Sequence, residues 1–308
     1  VNERQPTNLP ASIRQRLLNL SRDRGEDFNL TLTRYGIERL LYRLSQSGHA
    51  DHFVLKGALL LSLWTGRLQR PTRDIDLLSY GDSSQEALTL LFRDICLVDV
   101  QADGLTFHAD SVRVTEIRED QEYGGQRAQL TATLGNARIH LQVDIGFGDA
   151  ITPAPDDIEY PSLLGLPPPR LRAYPKETAI AEKLEAMIAL GMANSRMKDF
   201  YDVWMMSREL QFDGRTLARA IQATFRRRRS ELPHTAPTAF TEEFAGNPDK
   251  GVQWNAFLSR NRLDAGGMGL MHVIQEIRLF LMPPMLAAAN GQEFEQVWPV
   301  GGPWVADR

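Results

Sequence analysis

The chain has 308 residues, 43% of them hydrophobic and 24% charged, with 35 basic against 39 acidic side chains and a net charge of −4. That length can bury a substantial core and predicts two domains, while the charge balance argues against a generally basic nucleic-acid coat and leaves room only for local basic patches. Cys96 is the sole cysteine, which excludes an internal disulfide and a cysteine zinc cluster. No apolar stretch is long enough to span a bilayer, and Val1–Pro6 lacks the apolar core of a signal peptide, so a cytoplasmic protein without membrane contact is expected.

Residues Leu9 to Ser47 read as two helices. Ile13, Leu17, Leu18 and Leu20 give one apolar stripe; Tyr35, Leu40, Leu41 and Leu44 give the other, and Gly48 ends the second helix. Phe53-Val54-Leu55 then reads as a strand running through a Lys56-Gly57 turn into an apolar helix. A basic loop follows, and a second strand carries Asp74 and Asp76. Residues i and i+2 of a strand share a face, so these two carboxylates project together while Ile75 and Leu77 point into a core. Paired carboxylates repel unless a cation or proton sits between them. A hard divalent ion such as Mg²⁺, or Mn²⁺, takes the oxygen ligands they offer. By itself Asp-x-Asp is more often a strand end meeting water or a turn than a functional pair. Lys56-Gly57 changes the weighting, because a glycine opening a helix after a strand lets phosphate approach backbone N–H groups. Phosphate beside paired carboxylates points to phosphoryl or nucleotidyl transfer.

Asp82-Ser83-Ser84 is a helix N-cap opening an amphipathic helix through Leu88, Leu91, Phe92 and Ile95. From Leu105 to Phe147 the pattern is β, with Gly135-Asn136 as a hairpin turn. In the last of these strands Asp144 faces away from Val143 and Ile145, either as a third acid of the site or as a solvent-facing aspartate. Residues 153–175 hold seven of the 17 prolines; such a run continues neither helix nor central strand and marks the boundary between a first domain, 1–165, and a helical domain, 166–308. The tail from Trp298, with Gly301-Gly302-Pro303, reads as irregular.

In the second domain Pro175 and Gly191 bracket a helix. At about 100° per residue Lys183 falls on its apolar face, while Glu182 and Glu185 point to solvent. A lysine there needs an anion, or snorkels to water. On the next helix Asp199 flanks the core face, and Lys198 and Asp202 point outward, which favours Asp199 over Asp202 for a site role. Arg226-Arg227-Arg228-Arg229 is either a solvated helix end or a contact for an RNA backbone. Gly266-Gly267-Met268-Gly269 follows no strand and is no dinucleotide fingerprint, and the six histidines show no zinc-ligand spacing.

The run from Phe53 to Ala58, the leucine-rich helix and Arg70-Pro71-Thr72-Arg73-Asp74-Ile75-Asp76 resemble the AbiEii family. These are toxins of type IV toxin–antitoxin systems within the DNA polymerase β-type nucleotidyltransferase superfamily. Lys176 to Lys183 and Arg196 to Asp202 also match. One departure is Gly57-Ala58, where the superfamily commonly has Gly-Gly or Gly-Ser, so a phosphate contact at Ala58 would be made by backbone alone. The resemblance implies an α/β (α+β) polymerase β-type core with a mixed sheet, followed by a helical domain, with the site in the cleft between. Asp74 and Asp76 would hold metal, and the superfamily's third acid, on a strand after the pair, corresponds to Asp144. Lys56-Gly57 would cradle phosphates, Lys183 and Arg73 would neutralise the triphosphate, and Asp199 would orient Lys183 or bind the nucleotide sugar. The implied acceptor is the 3′ end of tRNA, and the implied partner is a cognate winged-helix antitoxin. Transfer to a small molecule or protein hydroxyl, or a non-catalytic binding protein of this fold, stand as alternatives.

Overall fold

The computed structural model describes residues 8–67, 69–117 and 124–307; the segment 1–6, read above for a signal peptide, lies outside them. The chain forms two compact units. The first comprises Val1–Leu63, Pro71–Gly148 and Asp156–Ala173; the second comprises Trp64–Arg70, Asp149–Pro155 and Tyr174–Arg308. Among the described residues no helix is long and apolar enough to cross a membrane.

The first unit contains α1 (Leu9–Asp23), α2 (Phe28–Gln46), β1 (Phe53–Lys56), α3 (Leu59–Thr65, whose last two residues belong to the second unit), β2 (Asp74–Ser79), α4 (Gln85–Leu97), β3 (Leu105–Ile117), β4 (Gly125–Leu134), β5 (Ala137–Phe147), β6 (Asp156–Glu159) and β7 (Arg170–Ala173). The strands form one mixed seven-stranded sheet in the order β3-β4-β5-β2-β1-β7-β6. Pairs β2–β5 and β1–β7 are parallel, and the others are antiparallel. Side-chain caps open the helices: Asn8, Asp27 and Ser84 each accept from a backbone N–H in the first turn. The tight β4–β5 turn holds Gly135 at φ 57°, and it sets the register of the hairpin from Leu134↔Ala137 to Gln126↔Ile145. Helix α2 lies against Ile139 and Leu141 of β5, so close at Gly36 that an added Cβ would press on both.

That same helix brings Tyr35, Glu38, Arg39 and Arg43 into the interior. Arg39 Nε and Arg43 Nη1 bond Asp103 Oδ2 at 3.0 and 2.6 Å, and the Tyr35 hydroxyl donates to the Asp103 carbonyl at 2.7 Å. Arg39 also reaches the Pro167 carbonyl, and Glu38 accepts from Ser162 and from the Leu163 N–H. One helix thus fixes the loop before β3 and the proline-rich stretch together. That stretch corrects the sequence reading: it carries two strands, with β7 inside the sheet. The prolines fall between and beyond the proline-free segments Asp156–Glu159 and Arg170–Ala173, so no ladder donor is lost.

The second unit contains α5 (Lys176–Leu190), α6 (Met197–Glu209), β8 (Phe212–Asp213), α7 (Gly214–Arg228), α8 (Glu242–Gly246), α9 (Pro248–Asn261), α10 (Leu270–Ala289), β9 (Gln296–Trp298) and β10 (Val305–Ala306). Its end is ordered where the sequence suggested irregular chain. Gly301 and Gly302, at φ 82° and 66°, turn β10 back antiparallel to β9, which pairs with β8. The indole N–H of Trp298 donates to the Ser207 carbonyl at 2.6 Å, and that of Trp304 to Phe280 at 2.9 Å. The rings of Phe212, Phe280, Trp298 and Trp304 pack around them.

Two buried guanidinium groups facing one carboxylate set an expectation for stability. Asp103→Ala leaves Arg43 without its anion and Arg39 with Glu38 alone, at 3.5 Å, and is expected to destabilise folding by about 3–5 kcal/mol, read as a lowered midpoint in denaturant unfolding. A change below about 1 kcal/mol would show that the cluster contributes little.

Candidate active site

β2 has the burial pattern that a two-residue period requires. Ile75 and Leu77 are buried, while Asp74 and Asp76 are half-buried on the opposite face. β1 and β5 flank it. Lys56 lies across from Asp76 on one side, and Asp144 lies across from Asp76 on the other. Lys56, Asp76 and Asp144 therefore occupy one register row across three neighbouring strands, with Asp74 two residues away beside Gln142. Gly57 follows directly at φ 76°, and a Cβ there would overlap the Asp76 carboxylate. Only glycine satisfies both the left-handed backbone and that contact. Ala58 donates nothing from its side chain, and Arg73 is exposed just before β2.

Asp144 does not stand alone. Arg127 on β4 grips it with both arms: Nε to Oδ1 at 2.8 Å and Nη2 to Oδ2 at 2.8 Å, with Gln142 Nε2 at 3.4 Å from Oδ2. Sequence reasoning missed Arg127, although a signal existed. Counting back from the Gly135-Asn136 turn pairs 134 with 137 and, seven steps on, 127 with 144. Among the described residues no group of three or more His, Cys, Asp or Glu side chains is placed to hold a metal ion.

The other expected residues meet in the second unit. Lys183 on α5 donates to Asp199 Oδ1 and to Asp202 Oδ2, both at 2.8 Å. Arg196 Nε bonds the second oxygen of Asp199 at 2.8 Å, and Arg70 forks onto Asp202 at 2.7 and 2.9 Å. Burial by itself would raise the Asp199 carboxyl, but Lys183 and Arg196 outweigh it and hold it down at about 2. Asp202 is likewise lowered, with burial opposed by Lys183 and Arg70. Lys183 is raised, because Asp199 and Asp202 overcome the burial that would lower it.

Two outward readings are corrected here. Asp202 is fully buried, since Arg70 and Lys183 meet it. Glu185 is also buried, held by Arg228 and Ser230. A helical wheel locates the apolar stripe of its own helix and says nothing of a cation brought up by another segment. Nothing in the sequence around Arg70 marked it as the partner of Asp202, 132 residues away.

A mixed sheet carrying two alternate carboxylates on one face, hard against a glycine turn, defines a nucleotidyltransferase-type core. The model of the nucleotidyl transferase AbiEii toxin family, of the type IV toxin–antitoxin system, matches residues 39–266. The chain belongs to that family. It is also similar to two solved structures from Helicobacter pylori. For JHP933 the identity is 16%, covering 82% of this chain and 88% of that one, with a TM-score of 0.46. For a proposed nucleotidyltransferase the values are 17%, 82%, 91% and 0.44. No curated protein matches the chain.

Two predictions follow from these contacts. Gly57→Ala strains the left-handed turn and drives the new methyl into Asp76; it is expected to destabilise by about 2 kcal/mol or more, and an unchanged melting temperature would reject the contact. Asp199 supplies a pH test. Its unfolded carboxyl titrates near 3.9 and its folded one at about 2, so its stabilisation is complete above about pH 4 and lost as pH falls through about 2. Asp199→Asn should flatten the acid limb of a stability–pH profile in that window. An equal slope in the variant would show that the pair is not what titrates.

Proposed function

We propose that this protein is a metal-dependent nucleotidyltransferase toxin that moves a nucleoside monophosphate from an NTP to RNA, at the 3′ end of tRNA, the acceptor hydroxyl bonding the α-phosphorus as the α–β bond breaks and pyrophosphate leaves, and so stops translation in the cytoplasm. The observation that carries this reading is the row of Lys56, Asp76 and Asp144, with Asp74 on the same face of the sheet and Gly57 packed on Asp76. The donor set fits Mg²⁺ or Mn²⁺, because such ions are commonly held by one or two protein carboxylates together with water and substrate phosphate oxygens. Asp74 and Asp76 would hold the ion. When bound, it supplies charge stabilisation to the attacking and leaving oxygens of an in-line displacement.

The chain's own groups divide the remaining tasks. The Lys56-Gly57 turn receives the β- and γ-phosphates, Gly57 through its unshielded backbone. Arg73 and Lys183 neutralise triphosphate charge, and Asp199 positions Lys183. Asp144 completes the metal site or takes the proton of the acceptor hydroxyl, for which one of its oxygens must leave Arg127. The toxin is held in check by a cognate antitoxin of the winged-helix type.

The test is incubation with Mg²⁺, each α-labelled NTP in turn and total tRNA. Label should pass to tRNA with the wild type, and Asp76→Ala should lose about a thousandfold in rate while keeping its fold. Label on a small molecule or on protein would move the acceptor away from RNA. Equal labelling by Asp76→Ala would overturn the metal assignment. Lys183→Ala should weaken NTP binding, and unchanged affinity and rate would reject its role.

A further inference from the structure

The four consecutive arginines at the end of α7 are not equivalent. Arg228 turns inward, bonding Glu185 Oε2 at 2.7 Å, with Asp149 Oδ1 at 3.4 Å and Glu182 Oε1 at 3.7 Å. The other oxygen of Glu185 accepts from the Ser230 hydroxyl at 2.6 Å. One buried carboxylate thus clasps the chain on both sides of residue 229. Two backbone bonds close the helix end around it: Arg229 N–H to the Arg226 carbonyl at 3.3 Å, and Ser230 N–H to the Phe225 carbonyl at 3.0 Å. Within this fixed frame Arg226, Arg227 and Arg229 are exposed.

Arg229 sits at φ 53° and ψ 26°, the left-handed position after a helix that glycine or asparagine normally fills. The helix dipole explains cations in the last turn, and Arg228 already serves it. It does not explain a bulky arginine at a backbone position that disfavours a Cβ. Charge along α7 is equally uneven. Arg215 pairs with Glu293 and Glu295, and Arg219 pairs with Glu293. Among the described residues neither Arg226 nor Arg229 makes an ion pair with a carboxylate.

We infer that the C-terminal end of α7 is a docking surface for the phosphate backbone of RNA, with Arg226 and Arg229 as its contacts and Arg228, through Glu185, as their anchor. This rests on the RNA acceptor proposed above. The guanidinium fork matches phosphate oxygens and is only weakly hydrated, so it suits a polyanion better than lysine does. A chain of net charge −4 offers no generally basic coat, so a polyanion depends on a local exposed arginine cluster of this kind.

The experiment is equilibrium binding of total tRNA to wild type, Arg229→Gly and the double variant Arg226→Ala/Arg229→Gly. Binding is followed between about 50 and 200 mM salt, with polyglutamate as competitor. The double variant should bind at least about tenfold more weakly at the lower salt, with a salt slope shallower by about 2. Arg229→Gly should melt at a higher temperature than wild type while binding RNA more weakly, a pair of changes that a merely structural arginine would not give. If wild type binds tRNA in this way and transfers nothing to it, the docking surface stands and the catalytic reading falls. Unchanged affinity and slope in the double variant overturn the inference, as does wild type that binds no tRNA. It is also overturned if polyglutamate binding depends on Arg226 and Arg229 while RNA binding does not, which would mark a surface for an acidic protein.

Discussion

The candidate site depends on a single close approach: the carboxylate of Asp76 fills the space in which a side chain at residue 57 would lie. That contact fixes β1 and β2 at the point where the chain leaves the sheet for α3. It also limits residue 57 to glycine twice over, by volume and by its φ of 76°. The row from Lys56 through Asp76 to Asp144 then follows from strand pairing alone, because cross-strand partners project to the same face. The opposite face, with Ile75, Leu77, Val143 and Ile145, is buried, so a slip of one residue in β2 would expose that core and bury two acids.

Each unit also encloses ionic groups in its interior. In the first, Asp103 is met by Arg39 and Arg43, and its carboxyl is held below the usual range because those cations and the Leu105 N–H outweigh the burial that would raise it. In the second, three cations, Arg70, Lys183 and Arg196, surround Asp199 and Asp202. Groups like these add little net stability compared with well-packed apolar side chains. What they supply is geometric definition, since a guanidinium fork accepts a carboxylate in few orientations.

Local chemistry was the legible part of the fold. Ser84 as a cap, Gly135-Asn136 as a turn and the alternation in β2 each follow from interactions within a few residues, and the sequence displays them directly. Strands β6 to β10 were missed because two to four residues carry too little alternation to register, and prolines or glycines nearby dominated the reading. The long-range partners were missed for a different reason. Arg70–Asp202 and Glu185–Arg228 join segments whose pairing depends on the assembled fold, and an arginine in a loop looks the same with or without a buried acid waiting for it. Arg127 is intermediate, since a hairpin register transmits information along the strands and counting from the turn reaches it.

The two carboxylates expected to act beyond the Asp74–Asp76 pair are both already bonded by cations, and their surroundings separate what each can do. Arg127 and Asp144 are 37% and 23% exposed. Water reaches both partners there, so this half-buried, two-armed pair is screened more than a fully buried one. Exchange of Arg127 for another ligand therefore costs less at Asp144 than at a fully buried pair. Asp199 and Asp202 are 2% and 0% exposed. Each is met by two cations, and an uncompensated charge at this depth would cost about 3–5 kcal/mol. Asp199 is thus held in one orientation against Lys183, whereas Asp144 keeps a partner that water can reach.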